Sequence, residues 1–142
     1  LINRTLKKDF GIPNPKIVIT GLNPHCGDKG LLGNEENKII IPAIKKCKAK
    51  KIRIHGPISA DSAFIKSNLQ LYDAFLCMYH DQALITAKVI DFENTVNFTA
   101  GLSYVRTSPD HGTGYEIARK FIANETSLIS AINTSILISS NK

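Results

Sequence analysis

PKIVITGLNPHCGDKG, residues 15–30, joins a short β-branched apolar run to a turn that holds a histidine, a cysteine and an aspartate among three glycines. The run KIVIT (16–20) reads as a buried strand. The turn after it suits a place where backbone comes close to something. In an open parallel sheet, ligands bind beyond the carboxyl ends of the strands. His25 therefore stands where chemistry is expected if the rest of the chain builds such a sheet.

The flanking pattern supports that sheet. NEENKIIIPAIKKCKAK (34–50) reads as a helix, with Asn34 as its cap and Glu35 and Glu36 in the first turn. Pro42 should kink it or mark a late start. KIRIHG (51–56) is a short strand, and SADSAFIK (59–66) a short helix capped by Ser59 or Asp61. DAFLCMY (73–79) is nearly continuously apolar, as expected of a strand covered on both faces. DQALITAKVI (81–90) can be helical, and TVNFTAG (95–101) and SYVRTS (103–108) are strand candidates. Residues 113–123 and 126–140 read as helices, the second with an apolar face of Leu128, Ile132 and Ile136 flanked by Ile129 and Leu137. The alternation predicts an α/β fold with a mostly parallel sheet flanked by helices. No repeat or linker divides the chain, so one domain or subdomain is the simplest division.

The 142 residues are 43% hydrophobic and 21% charged, a globular profile with enough apolar residues for a core. No apolar run approaches the ~20 residues of a membrane span, and no secretory signal is visible, so the expected compartment is the cytoplasm. Cys26, Cys47 and Cys77 show no CxxC spacing, which argues against a disulfide framework or a zinc knuckle. The formal charge of +6 raises the question of nucleic acid. Its one dense run, KKCKAKK (45–51), fits a solvated helix end and carries no interleaved aromatics, so nucleic-acid binding is not expected. The chain opens without methionine on what reads as the tail of a helix, LINRTLKKDF. A carboxyl-terminal piece of a longer protein is expected.

All four histidines fall in turns near Gly or Asp. His25 follows KIVIT by five residues, and His80 follows DAFLCMY directly, with Asp81 next. His55 precedes Gly56-Pro57, and His111 lies between Asp110 and Gly112. Imidazole is a common metal ligand, so His25 and His80 with a nearby carboxylate can form part of a divalent-cation site. On spacing alone the reading as ordinary loop residues is the stronger one, since no local HxxxH-type signature joins them and the third ligand of a catalytic zinc is not visible. Lys88 and Arg106 can grip a phosphate or carboxylate, or be solvated charges. Asn97 either satisfies a turn or contacts ligand. DHGTGYEIA (110–118), with Thr113 as cap, can hold a nucleotide or merely start a helix.

Taken in order, GLNPHCGDKGLLGNEE (21–36), GPISAD (56–61), MYHDQ (78–82) and VNFTAGLSYVRTSPDHGT (96–113) resemble the 4-hydroxythreonine-4-phosphate dehydrogenase family of vitamin B6 biosynthesis. The resemblance spans nearly the whole chain. It implies a two-domain α/β homodimer similar to the isocitrate and isopropylmalate dehydrogenases, of which this chain is an incomplete part. It implies NAD-dependent oxidation of 4-phosphooxy-L-threonine to a 3-oxo acid that then loses carbon dioxide. It further implies a divalent metal at the dimer interface, zinc before magnesium or cobalt, held by three histidines. His25 and His80 match two of these, and the third belongs to an upstream motif. Asp61 matches a carboxylate near the metal. Lys88, Asn97 and Arg106 match substrate-binding positions, with Lys88 also able to assist proton transfer. Which residues hold NAD is not assigned.

The chain departs from the family pattern at Ala83 and Ile85, at IDFENT (90–95), at GLS (101–103) and at Cys26. The altered 83–96 loop bears on substrate geometry more than on metal binding. Two further readings follow: a family relative acting on another phosphorylated hydroxy acid, such as a four-carbon sugar-acid phosphate, or an inactive truncated remnant.

Overall fold

The computed structural model describes residues 1–141. In chain order it contains α1 (Ile2–Lys8), β1 (Lys16–Thr20), α2 (Ile41–Ala49), β2 (Arg53–Ile58), α3 (Ala60–Ala63), α4 (Lys66–Leu71), β3 (Ala74–Leu76), α5 (His80–Asp91), β4 (Val96–Phe98), β5 (Thr107–Pro109) and α6 (Thr126–Ser140). Two compact units result, Pro13–Thr86 and the combination of Leu1–Ile12 with the chain from Ala87 onward. No helix among the described residues is long and apolar enough to cross a membrane.

The Pro13–Thr86 unit holds a parallel sheet in the order β2-β1-β3. β1 is its centre, and KIVIT supplies apolar side chains to both faces. Ile17, Val18, Ile19 and Thr20 are all buried. At about 1.5–3 kcal/mol for each fully buried aliphatic side chain, this strand anchors the unit. The covering expected for 73–79 belongs to β1 instead. β3 is shorter than expected and lies at the edge, where Leu76 stays 38% exposed. His55, expected in a turn beside Gly56, lies inside β2 and packs its ring on Tyr72.

Pro42 acts as a late helix start. Residues Glu36–Ile40 form one wide π turn, and regular α-helix begins at Ile41 with Pro42 in its first turn. Proline has no N–H to donate and suits that position. No side chain caps this start, so Asn34 does not act as the expected cap; its carbonyl instead accepts from Lys38 N–H.

In the other unit, β4 and β5 pair antiparallel, Val96 with Pro109, Asn97 with Ser108 and Phe98 with Thr107. Phe98 meets Phe10 edge to face at 5.6 Å between ring centroids. α6 packs on this pair, and Thr107 Oγ1 donates to the Ala131 carbonyl at 2.9 Å. The buried side of α6 is Ala131 and Ile138, whereas Leu128, Ile132 and Ile136 are about half-exposed or more. The expected apolar face is therefore not the one that packs here. A small Ala131 lets helix backbone approach the strand, which larger residues prevent. The helix expected over 113–123 is reduced to one 3₁₀ turn, Tyr115–Ile117. Gly114, Arg119 and Phe121 take left-handed φ of 64°, 65° and 55°, which no continuous right-handed helix tolerates. Thr113 caps nothing there, since Gly114 precedes the turn.

Candidate metal-binding and anion-binding residues

The turn after β1 is organised from beneath by Glu36. This side chain is only 2% exposed, and its Oε1 accepts from Leu22 N–H at 2.8 Å and Asn23 N–H at 3.4 Å. Asn23 carries the order forward. Its Oδ1 accepts from His25 N–H at 2.9 Å and Gly27 N–H at 3.1 Å, and its Nδ2 donates to the Leu32 carbonyl at 2.7 Å. This side-chain turn is what asparagine does well in loops. Gly27 is required at its place. Its φ is +76°, and a Cβ there would stand 2.7 Å from Glu36 Oε2. The result presents His25 on the surface just before a run of left-handed residues, Cys26–Gly30, whose φ angles are all positive. Burial pushes the neighbouring Cys26 thiol up, with the charges of Glu36 and Asp61 adding, against a backbone hydrogen bond with Gly21.

GPISAD brings a carboxylate to the same turn. Between Val18–His55 and Thr20–Ile58 the β1–β2 register slips, so β2 carries an extra residue around Gly56-Pro57. Gly56 passes close against Ile19 with φ +111°, which excludes a side chain. Ser59 then stands at the head of α3, and its hydroxyl bonds the Pro24 carbonyl rather than capping the helix. The expected capping role of Ser59 or Asp61 is thus replaced by a tie to the His25 turn. Asp61 is exposed, and its carboxyl is held below the usual range by the neighbouring Ser59 hydroxyl first, then by Ser62 and the charge of His25, against some desolvation.

His80 opens α5 just beyond β3 and is exposed. β1 and β3 are neighbouring parallel strands, so both histidines follow carboxyl ends on one side of the sheet. Gln82, which motif spacing left without a role, joins those strand ends. It is buried, its Oε1 accepts from Thr20 Oγ1 and from Met78 N–H at 2.8 Å each, and its Nε2 donates to the Gly21 carbonyl at 2.9 Å. The signal available in sequence was an uncharged amide directly after two polar residues at a strand-to-helix turn.

Among the described residues, no group of three or more His, Cys, Asp or Glu side chains is gathered as a cation would need. The imidazoles of His25 and His80 fit zinc in kind, and the donor count stops short of a closed or catalytic shell.

The remaining predicted residues lie in the other unit. Asn97, Thr99, Arg106 and Ser108 share one face of the β4–β5 pair, because paired residues and alternate residues point the same way. Arg106 is exposed and uses Nη1 to donate to Thr99 Oγ1 at 2.9 Å, which leaves most of its donors free. Lys88 lies 3.8 Å from Asp110 Oδ2 and over the Phe92 ring. Asp110 follows the opposite end of β5 from Arg106, so the structure does not pair the two cations. Residues 111–114 line a groove of about 570 Å³ with Phe92, Ile117 and Asn124. His111 Nδ1 is bonded locally to the Gly112 carbonyl at 2.8 Å.

A parallel sheet flanked by helices, with two histidines beyond adjacent strands, defines an α/β unit. The chain belongs to the family described as pyridoxal phosphate biosynthetic protein PdxA, whose profile matches residues 1–135. It is 51% identical over 138 residues to the 4-hydroxythreonine-4-phosphate dehydrogenase of Sulfurihydrogenibium sp., a match covering 97% of this chain and 42% of that protein. The enzyme of the same name from Bacteroides thetaiotaomicron is 49% identical over 142 residues, covering 100% of this chain and 39% of its own. The crystal structure of the Klebsiella pneumoniae 4-hydroxythreonine-4-phosphate dehydrogenase superposes with a TM-score of 0.83 at 38% identity, over 97% of this chain and 42% of that one. A terephthalate 1,2-cis-dihydrodiol dehydrogenase from Burkholderia xenovorans superposes at 0.72 with 28% identity, over 98% and 43%. The chain thus spans about two fifths of the relatives it matches.

Proposed function

We propose that this chain is the part of an NAD-dependent 4-hydroxythreonine-4-phosphate dehydrogenase that supplies two metal ligands and the anion-holding residues. The observation that carries this reading is the placement of His25 and His80 beyond the carboxyl ends of adjacent strands, with Gln82 joining those ends. The substrate is 4-phosphooxy-L-threonine, whose hydroxyl carbon is oxidised before the 3-oxo acid loses carbon dioxide. His25 and His80 would hold a divalent cation, zinc before magnesium or cobalt, with a third donor from elsewhere in the homodimer. Such a cation supplies Lewis acidity toward the substrate oxygen.

The chain's own residues bind and orient. Arg106 offers a planar fork of donors to a phosphate or carboxylate, and Thr99 holds that fork in place. Asn97 stands on the same face and adds a neutral donor and acceptor. Lys88 meets the anionic substrate as a point charge or moves a proton, with Asp110 Oδ2 standing 3.8 Å from its amine. Asp61, held ionised, supplies a carboxylate near His25. The groove over His111–Gly114 is of a size and apolar character to take part of NAD. The site works in the cytoplasm.

The test uses the native polypeptide that carries this chain. His25→Ala and His80→Ala should each lose bound zinc and NADH formation while the melting temperature holds. Retention of both by either variant would overturn the reading. A second substrate is favoured by one observation: the same fold at 28% identity serves a dihydrodiol dehydrogenase, so the fold does not fix the substrate. With Ala83 and Ile85 altered, a panel of phosphorylated hydroxy acids, including four-carbon sugar-acid phosphates, decides between them by kcat/KM.

A further inference from the structure

Glu36 is the most deeply buried ionisable side chain near His25, and the function proposed above gives it no task. Its Oε1 is used twice, by Leu22 N–H and Asn23 N–H. Its Oε2 is buried with no hydrogen-bond partner. That oxygen sits against Gly27, close to where the Gly33 carbonyl also faces the glycine. An unpaired buried carboxylate oxygen costs at least as much as a neutral orphan, and is kept only where the group does something a cheaper residue would not.

We propose that Glu36 is a positioning residue for His25. The carboxylate fixes the amides of Leu22 and Asn23. This sets the Asn23 side chain, whose Oδ1 then holds the amides of His25 and Gly27. The imidazole is therefore placed by a relay that begins on the π turn before α2 and never touches the ring itself. Gly27 completes the relay by leaving space for Oε2. The π turn supplies the geometry: it starts at Glu36 and aims that side chain under the loop. The inference rests on the reading of His25 as a metal ligand.

The experiment measures two quantities on the native polypeptide. The first is the affinity for zinc ion alone, by competition with a chromophoric chelator. The second is amide exchange at His25 and Gly27 in zinc-free protein, with Ile17 to Ile19 as the reference for the sheet. Glu36→Ala should weaken zinc binding about 10–100-fold, the range for partners that orient a ligand. It should speed exchange at His25 and Gly27 while leaving the reference strand protected. Glu36→Gln keeps an acceptor for Leu22 and Asn23, so it should restore both quantities. The proposal is overturned if Glu36→Ala leaves exchange at His25 and Gly27 unchanged. It is equally overturned if the reference strand loses protection to the same degree, which marks a merely structural role, or if Glu36→Gln fails as Ala does. Wild type and His25→Ala binding zinc equally would instead remove the metal reading, and the exchange comparison alone would then decide whether Glu36 places the histidine.

Discussion

Replacing Gln82 by leucine tests the arrangement that joins the two histidine-bearing strand ends. Leucine keeps the approximate bulk and removes three hydrogen bonds, to Thr20 Oγ1, Met78 N–H and the Gly21 carbonyl. Each is worth roughly 1 kcal/mol net, and the Thr20 hydroxyl left buried and unpaired adds about 1–3 kcal/mol. Thr20 is fully buried and cannot turn to water. Gain from the apolar side chain returns about 1 kcal/mol. The balance is a loss of about 3–5 kcal/mol. Native-state exchange at the Ile17, Val18 and Ile19 amides reads this loss within the Pro13–Thr86 unit itself, because these residues form its central strand. Gln82→Glu sharpens the test. Its second oxygen would face the Gly21 carbonyl as acceptor against acceptor, so protonation relieves the conflict. The folded-state carboxyl is then raised, and the lost stability returns as pH falls through that raised value. A change under about 1 kcal/mol for the leucine variant, where three bonds of this size predict several, would refute the account of Gln82 as the joint.

Gly56→Ala should destabilise the same unit by more than about 2 kcal/mol, because φ is +111° and the new Cβ would meet Ile19 at backbone and Cγ2; urea unfolding checks it. Burial pushes the Cys77 thiol up, against a hydrogen bond with Thr20. The thiol form is thus favoured in the folded chain, so its contribution to stability is present below the unfolded thiol's pKa and lost as pH rises through the folded one. Melting temperatures across alkaline pH should fall more steeply for wild type than for Cys77→Ala. Arg106→Lys should raise KM for the phosphorylated substrate about tenfold or more with a smaller change in kcat, since a point charge replaces a fork held by Thr99. Equal effects on KM and kcat would contradict a purely anion-holding role.

Much of the Pro13–Thr86 unit was legible because its signals are local. KIVIT alternates with nothing and is flanked by turn residues, so its burial on both faces could be read directly. The late start at Pro42 follows from one missing N–H. His25 and His80 were legible as strand-end residues for the same reason. What remained hidden depended on which strand lies between which others. DAFLCMY has the composition of a central strand, yet the order β2-β1-β3 makes it an edge. The roles of Glu36 and Gln82 are likewise topological. Each acts across 13 to 62 residues of chain, and no spacing rule links a π-turn glutamate to the amide of Leu22 or a helix glutamine to Thr20.

The failures in the other unit have a different cause. Periodicity finds a helix face that is apolar, and α6 has more than one: Leu128, Ile132 and Ile136 form a stripe, while Ala131 and Ile138 form another about a third of a turn away. Total hydrophobicity favours the first stripe, and close approach favours the second. Thr107 decides between them, because its hydroxyl bonds the Ala131 carbonyl, and only a residue without a long side chain leaves that carbonyl within reach. Ala131→Leu separates the two explanations. If apolar area governs this face, the larger side chain adds burial and raises stability by about 1–2 kcal/mol. If close approach governs it, the helix is pushed from β5, the Thr107 bond breaks, and stability falls by about 1–3 kcal/mol. The structure predicts the fall, together with faster amide exchange along β4 and β5, and a more stable variant would show that the packing face of α6 was chosen by area after all.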